Sequence, residues 1–143
     1  MTKTCAVRFH DISVGHTVTN HESKCAHLHG HNYRIHFRIG DGGKGLDNIG
    51  RVLDFGVIKS KFCAWLEENW DHKFLVWRED SRSFALRVMD PDGVVLVPFN
   101  PTAENMAEYL LMVVGPGLLF AEDPVLEWVK IEETYKCSVE TSL

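Results

Sequence analysis

The sequence predicts an α+β fold in which an antiparallel sheet is covered on one face by helices. Three observations lead to this prediction: apolar and polar residues alternate over 33–39, a helical apolar repeat covers about 56–69, and another begins near Thr102. A period of two indicates a half-buried strand, and a period of 3.6 indicates a helix with one buried side. The chain has 143 residues, of which 45% are hydrophobic, so we predict a single domain over 1–143.

The first two predicted strands flank a histidine-rich segment. Residues 7–10 alternate between apolar and polar and predict a strand that runs toward His16. Residues 33–39 alternate cleanly and predict the second strand. The Asp-Gly-Gly sequence at 41–43 is typical of a turn, and 51–53 is predicted as a short returning strand.

Two helices follow, each with a residue suited to cap its N-terminus. Asp54 is the predicted N-cap of a helix over about 56–69. Thr102 is the predicted N-cap of the second helix, and Gly-Pro-Gly at 115–117 is expected to end it.

The remaining segments are an excursion between the helices and a last strand. Residues 75–99 are predicted as the excursion, and residues 125–134 as the strand. Val129 and Ile131 are expected on its inward side, and Glu133 has the same parity.

Composition argues against several classes of protein. The net charge is −5 with lysine and arginine dispersed among acids, so we expect no nucleic-acid partner. No apolar run is long enough to span a bilayer and no signal peptide is recognisable, so we expect a soluble cytoplasmic protein without a membrane partner. The four cysteines form no CxxC pair, which favours reduced thiols over a disulfide framework.

Five of the eight histidines fall within sixteen residues, which makes metal binding the first hypothesis to test. In an extended segment His29 and His31 project to the same side, and Gly30 between them allows close packing of the backbone. A catalytic zinc commonly has three protein ligands and one open position. The third ligand could be His27 or His16, and surface histidines without a metal are the alternative.

Four further residues are candidates for chemistry. Cys25 would have a lowered thiol pKa beside a cation and could act as a base or nucleophile, a fourth metal ligand, or a buried apolar filler. Asp71 and His72 could form a proton-transfer pair, or His72 could simply cap a helix end. An inward Glu133 needs a partner, either a guanidine-like ligand edge or an internal salt bridge.

These motifs, in their order along the chain, resemble the 6-pyruvoyltetrahydropterin synthase and queuosine-type 6-carboxytetrahydropterin synthase family. The matching segments cover almost the whole chain. They are 9–16, Cys25-x-x-x-His29-Gly-His31-Asn32-Tyr33, Val52-Leu53-Asp54-Phe55, Trp70-Asp71-His72-Lys73-Phe74-Leu75, Asn100-Pro101-Thr102-Ala103-Glu104-Asn105 and Glu133-Thr134.

The resemblance implies a role for each candidate residue. The implied zinc ligands are His16, His29 and His31, which leaves His27 in a loop or supporting role. The implied proton-transfer residues are Cys25, Asp71 and His72. Glu133 would anchor the pterin ring, with Thr134 as a second substrate-binding residue.

The resemblance also implies the fold and the assembly. The family has the tunnelling fold (T-fold), in which a four-stranded antiparallel sheet carries two helices on one face. Its subunits close into a barrel with active sites at their interfaces, which predicts a homo-oligomer, a hexamer or another multiple of the barrel-forming unit.

The implied substrate is 7,8-dihydroneopterin triphosphate. The Cys-x-x-x-His-Gly-His spacing is more similar to the branch that releases 6-carboxytetrahydropterin, acetaldehyde and triphosphate. The alternative is the branch that makes 6-pyruvoyltetrahydropterin for tetrahydrobiopterin. A non-catalytic zinc-binding protein of the same fold is a third hypothesis, which Cys25, Asp71 and His72 argue against; an aldolase-like activity would call for Glu at position 25.

Overall fold

The computed structural model describes residues 2–143, and their strands form one six-stranded sheet with the order β4-β3-β1-β2-β5-β6. The strands are β1 (Cys5–His16), β2 (His29–Gly40), β3 (Phe74–Trp77), β4 (Val94–Val97), β5 (Val125–Glu132) and β6 (Ser138–Ser142).

Three helices and one short 3₁₀ turn complete the described fold. Helix α1 (55–69) consists of Phe55–Ile58, a π-helical turn Lys59–Cys63 and Ala64–Asn69. Helix α2 is Ser83–Met89. Helix α3 (103–118) consists of Ala103–Tyr109, a π-helical turn Leu110–Val114 and Gly115–Leu118. The 3₁₀ turn is Lys24–Ala26. Within residues 2–143, no helix has both the length and the apolar character needed to cross a membrane.

Four strands form the predicted antiparallel part of the sheet. The hairpin of β1 and β2 is long and regular, because its register runs from Cys5 opposite Gly40 to His16 opposite His29. Strand β5 pairs with β2 and β6 pairs with β5, both antiparallel. The excursion 75–99 adds two parallel strands, since β3 pairs with β1 and β4 pairs with β3. The sheet is therefore larger than the four strands expected.

The core lies between one face of this sheet and the helices. The apolar residues of β2, namely Tyr33, Ile35, Phe37 and Ile39, are fully buried and belong to the same cluster as Phe62 of α1 and Met106 of α3. We call this the covered face. Burial of each such side chain contributes about 1.5–3 kcal/mol to the free energy of unfolding. The strand pattern at 33–39 and two helices on one face are thus confirmed.

The opposite face carries the alternate residues of the same strands, several of which are exposed; we call it the uncovered face. Val7 and Phe9 of β1 lie here with about half of their surface exposed. The Arg34 guanidinium stacks on Phe9 with its carbon 4.1 Å from the ring centre. The sequence pattern predicted β1 from Val7 and Phe9, but neither side chain belongs to the core.

Both N-cap predictions are confirmed. The Asp54 carboxylate accepts a hydrogen bond from Gly56 N, and the Thr102 hydroxyl accepts one from Asn105 N. Each cap satisfies a backbone N–H that has no partner inside the helix.

Two predictions about strands were wrong. Residues 51–53 are not a strand, because a local turn closed by Asp47 N to Arg51 O at 2.7 Å uses the backbone instead. Strand β6 was missed because its sequence, Ser-Val-Glu-Thr-Ser, has a single large apolar residue and no core-facing pattern.

The predicted end of the second helix at 115–117 was also wrong. A Cβ on Gly115 would lie 2.5 Å from Leu126 Cδ2, so this glycine permits close contact between α3 and β5 rather than ending the helix. Pro116 lies in the first turn of the last helical segment, where a missing N–H is tolerated.

Candidate metal centre

Three histidines converge on the covered face at the end of the β1–β2 hairpin. The register places His16 opposite His29 and Val14 opposite His31, so the three imidazoles project from neighbouring positions on one side of the sheet. Their candidate ligand atoms all lie within 4.8 Å of one another. A Cβ on Gly30 would lie 3.0 Å from Val14 O, in agreement with the close packing predicted there.

Backbone carbonyls fix the orientation of two of the rings. His16 Nδ1 donates to Pro101 O and His29 Nδ1 donates to His27 O, each at 2.7 Å. Because a carbonyl oxygen only accepts, each Nδ1 carries the proton and each Nε2 presents a lone pair. These two Nε2 atoms are only 3.0 Å apart, an arrangement that a cation between them would stabilise.

The His31 ring shows whether a metal ion fits between the histidines. His31 Nε2 is buried and has no hydrogen-bond partner among residues 2–143. A buried polar atom without a partner is costly, and a metal ion would satisfy it. Three imidazole nitrogens facing one point suit a transition metal such as zinc. The residues therefore fit a metal site.

The electrostatics of the site favour neutral imidazoles. The pKa of His16 is lowered to about 4, mainly by burial and to a smaller extent by His29 and His31, against the opposing hydrogen bond to Pro101. Burial also lowers the pKa of His31, although the Glu133 carboxylate opposes this. Neutral imidazole is the form that binds a metal, so little proton release is needed at neutral pH.

Tyr33 lies beside the histidines. The Tyr33 hydroxyl is buried, 3.3 Å from His16 Nδ1 and 3.4 Å from His16 Nε2. Burial raises the pKa of Tyr33, and the charges of Glu133 and Cys25 raise it further; Cys25 itself is half-buried. The strand pattern had identified Tyr33 only as a core residue, and its place in the His31-Asn32-Tyr33 motif was the available signal.

Glu133 lies one residue beyond β5 and reaches the same cluster. Its Oε1 is 3.7 Å from His31 Nε2 and 3.9 Å from His16 Nε2. Thr134 is exposed and lies elsewhere: its hydroxyl accepts hydrogen bonds from Lys136 N and Cys137 N in the turn before β6.

Asp71 and His72 lie on the uncovered face. Asp71 Oδ1 accepts from Ser13 N at 2.9 Å and is 3.0 Å from His72 Nδ1. The pair lines an open groove of about 610 Å³ together with Ser13 and Asn32, which alternate with the core-facing residues of their strands. The His72 side chain is 80% exposed, and its backbone has a φ of 59°, a conformation rarely adopted by residues other than glycine.

The fold and the site together define a T-fold protein with a three-histidine group compatible with a metal. An uncharacterized protein from Wolinella succinogenes has a TM-score of 0.84 at 20% identity over 99% of both chains. The Caenorhabditis elegans 6-pyruvoyl tetrahydropterin synthase has a TM-score of 0.70 at 22% identity, over 100% of this chain and 97% of that chain. These likenesses confirm the fold.

Sequence comparison then defines the family. The profile of the 6-pyruvoyl tetrahydropterin synthase family matches residues 5–142. The 6-carboxy-5,6,7,8-tetrahydropterin synthase of Rickettsia conorii is 33% identical over 132 residues, covering 91% of this chain and 94% of the relative. A probable enzyme of the same name from Halobacterium salinarum is 37% identical over 100 residues, covering 69% of this chain and 61% of the relative. The chain belongs to the 6-pyruvoyl tetrahydropterin synthase family and is an enzyme of the lyase class.

Proposed function

We propose that this protein is a zinc-dependent 6-carboxy-5,6,7,8-tetrahydropterin synthase. It would convert 7,8-dihydroneopterin triphosphate to 6-carboxytetrahydropterin, acetaldehyde and triphosphate, a step toward queuosine and related 7-deazapurines. The observation that carries the proposal is the convergence of three imidazoles, one buried and two partly buried, with the Glu133 carboxylate. The names of the Rickettsia relatives support this product over others.

Zinc is the proposed metal because three neutral imidazoles are a common ligand set for catalytic zinc. When bound, zinc would supply Lewis acidity toward the substrate side chain. His16 and His29 are the better oriented ligands, since backbone carbonyls hold both rings. His31 would add the third nitrogen.

Glu133 is the proposed anchor for the pterin ring. Its side chain is only 29% exposed and lies beside the metal site, so a pterin could present its amino-pyrimidine edge to this carboxylate while its side chain reaches the metal. A carboxylate facing two N–H donors makes charge-assisted hydrogen bonds that also set the ring's orientation. Thr134, in the adjoining turn, stays a proposed substrate contact.

Cys25, Asp71 and His72 are the proposed proton-transfer residues. The segment that carries Cys25 is hydrogen-bonded to the residues that follow His16, whereas Asp71 and His72 line a groove on the uncovered face. We therefore propose that Asp71 and His72 complete the site of a neighbouring subunit. Each chain, as one domain over 1–143, would then belong to a barrel-shaped homo-oligomer, such as a hexamer.

We propose that the reaction takes place in the cytoplasm, where Cys25 would remain a reduced thiol.

Product analysis tests the proposed function. Zinc-loaded protein is incubated with 7,8-dihydroneopterin triphosphate, and mass spectrometry together with an acetaldehyde assay identifies the products. Formation of 6-carboxytetrahydropterin with stoichiometric acetaldehyde is expected. Triphosphate release without acetaldehyde would instead indicate the 6-pyruvoyltetrahydropterin synthase reaction, the alternative that the family name suggests. No change in the substrate would contradict both.

A further inference from the structure

Arg82 joins two segments next to the candidate site. Its guanidinium contacts both oxygens of Asp80, with Nε 3.0 Å from Oδ1 and Nη2 2.9 Å from Oδ2. The same group donates from Nη1 to Ala26 O at 3.1 Å and from Nη2 to Thr17 Oγ1 at 2.8 Å. We call Arg82, Asp80 and Thr17 the Arg82 clamp.

Arg82 contacts two residues that directly follow candidate site residues in the sequence. Thr17 directly follows His16, and Ala26 directly follows Cys25. The Thr17 hydroxyl also donates to Ala26 O at 2.7 Å, so this carbonyl accepts hydrogen bonds from both Thr17 and Arg82. The clamp therefore fixes the chain next to a candidate metal ligand against the chain next to the candidate proton-transfer thiol.

The carboxylate of the clamp is itself firmly held. Asp80 is 4% exposed and accepts two further hydrogen bonds, from Arg82 N at 2.8 Å and from the Thr19 hydroxyl at 2.8 Å. The Arg82 guanidinium, with these other donors, holds the pKa of Asp80 well below its usual range. A buried carboxylate with this number of donors stays ionised and gives Arg82 a fixed partner.

Other hydrogen bonds hold the segment between Thr17 and Ala26 at different points. It has no strand, and its backbone is tied across by Val18 N to Cys25 O at 2.9 Å. Two hydrogen bonds between Thr19 and the Asn100 side chain hold the opposite side of the segment to the start of α3. Loss of Arg82 would remove the link between the excursion and the backbone beside Cys25.

We propose that Arg82 and Asp80 are positioning residues that set the Cys25 thiol relative to the metal centre. This inference rests on the proposed function, because it assigns the excursion 75–99 a part in the proposed reaction. The planar fork of arginine can bind a carboxylate with two nitrogens and still reach a carbonyl, a geometry that lysine does not offer. Supporting residues of this kind typically change activity by about 10- to 100-fold.

The test compares Arg82→Ala with Arg87→Ala. Arg87 is exposed on α2 and makes no side-chain hydrogen bond or ion pair among residues 2–143. Its substitution therefore removes one positive charge from the same excursion without breaking a contact of the clamp. We expect Arg82→Ala to keep its zinc content and KM, while kcat falls about 10- to 100-fold. Arg87→Ala should behave like the wild type in all three measurements.

A double-mutant cycle with Cys25→Ala separates positioning from general damage. If Arg82 acts through Cys25, Arg82→Ala should reduce the residual kcat of the Cys25→Ala background by less than about twofold. An equal reduction in both backgrounds, or loss of zinc in Arg82→Ala, would overturn the inference. If Arg82→Ala does not fold, Thr17→Val removes one clamp hydroxyl at nearly constant shape, and a kcat like that of the wild type would overturn it.

Cys25 alkylation tests the inference independently of turnover. Iodoacetamide modification of Cys25 in the zinc-loaded protein is followed by mass spectrometry, with exposed Cys137 as the internal reference. Arg82→Ala should change the ratio of the two rates and Arg87→Ala should not, even if Cys25→Ala turns over normally and its proposed catalytic role fails. An unchanged ratio in Arg82→Ala would contradict the clamp.

Discussion

The covered and uncovered faces of the sheet hold two parts of the candidate site in very different surroundings. His16, on the covered face, is 1% exposed and its ring is held by a backbone carbonyl. His72, on the uncovered face, has a side chain that is 80% exposed and whose polar partner among residues 2–143 is Asp71. His16 is the last residue of β1, whereas His72 lies in the turn before β3, so the two side chains lie on opposite sides of one sheet.

One chain brings the three histidines together but leaves the Asp71–His72 pair apart from them. The candidate metal centre needs only the β1–β2 hairpin and its neighbours, so its three histidines are brought together within one chain. The Asp71–His72 pair faces an open groove and makes no hydrogen bond or ion pair with the three histidines. Substitutions on each face test this contrast.

Loss of a covered-face histidine should remove the metal. His29→Ala and His31→Ala are expected to fall from about one zinc per subunit to nearly none, and to lose turnover with it, because two imidazoles bind zinc too weakly. Metal analysis after dialysis measures this directly. His27→Ala is the matched control, since His27 is exposed and contributes only its backbone carbonyl to His29. Undiminished zinc in both variants would refute the assignment.

Cys25→Ala should lose turnover but not the metal. As a proton-transfer group, Cys25 would contribute about 10²- to 10⁴-fold to kcat, and zinc content should be unchanged. If Cys25 is a fourth ligand, the zinc affinity should fall together with activity. Cys5→Ala is the control, because the Cys5 thiol donates to Glu127 at the other end of the hairpin. Near-normal turnover by zinc-loaded Cys25→Ala would return this residue to a packing role.

Glu133→Gln should weaken substrate binding while the fold and zinc remain. The neutral amide loses the charge of the contact, and we expect KM to rise by about tenfold. Glu140→Gln provides a control, since Glu140 is exposed on β6 and bonds Trp128 instead. Loss of zinc in Glu133→Gln would show that the carboxylate, 3.7 Å from His31 Nε2, supports the metal rather than the pterin.

The smallest expected effect concerns the stability of the Arg82 clamp and its dependence on pH. Asp80 has a folded pKa below its unfolded value, so its contribution is complete above the unfolded pKa of about 4 and decreases as the pH falls below it. In metal-free protein, Asp80→Asn should lower the free energy of unfolding by about 1–3 kcal/mol at pH 5–7.

Urea titrations at several pH values measure this difference. It should be constant from pH 7 to 5 and shrink below about pH 4. Asp92→Asn, at an exposed position of the same excursion, should give no difference at any pH. A constant difference down to pH 3 would show that Asp80 acts through packing rather than through its charge.

Local signals in the sequence predicted most of the elements that carry the site. Alternation identified β2, and Asp54 and Thr102 marked the starts of α1 and α3, because N-caps and periodicity depend only on neighbouring residues. Strand β6 and the continuation of α3 through Gly115 depend on contacts with distant segments, which no local pattern reports.

The same distinction holds within the site. The spacing of His29 and His31 was sufficient to predict that they act together, whereas the choice of His16 needed the family resemblance or the cross-strand register. The contact of His16 with Pro101 and the clamp between Arg82 and Ala26 each join residues more than 50 positions apart. Such contacts follow from the packing of the excursion and α3, so the sequence alone could not predict them.

Subunit mixing tests most directly whether the two faces meet in an oligomer. His31→Ala and His72→Ala are each expected to be inactive, the first for lack of metal and the second for lack of the proton-transfer residue. Unfolded together and refolded as a mixture, they should recover about a quarter of wild-type activity, because that fraction of interfaces pairs two intact halves at random. Refolded separately and then mixed without exchange, they should stay inactive. A co-refolded mixture with no activity, from variants that refold as wild type does, would contradict a site shared between subunits.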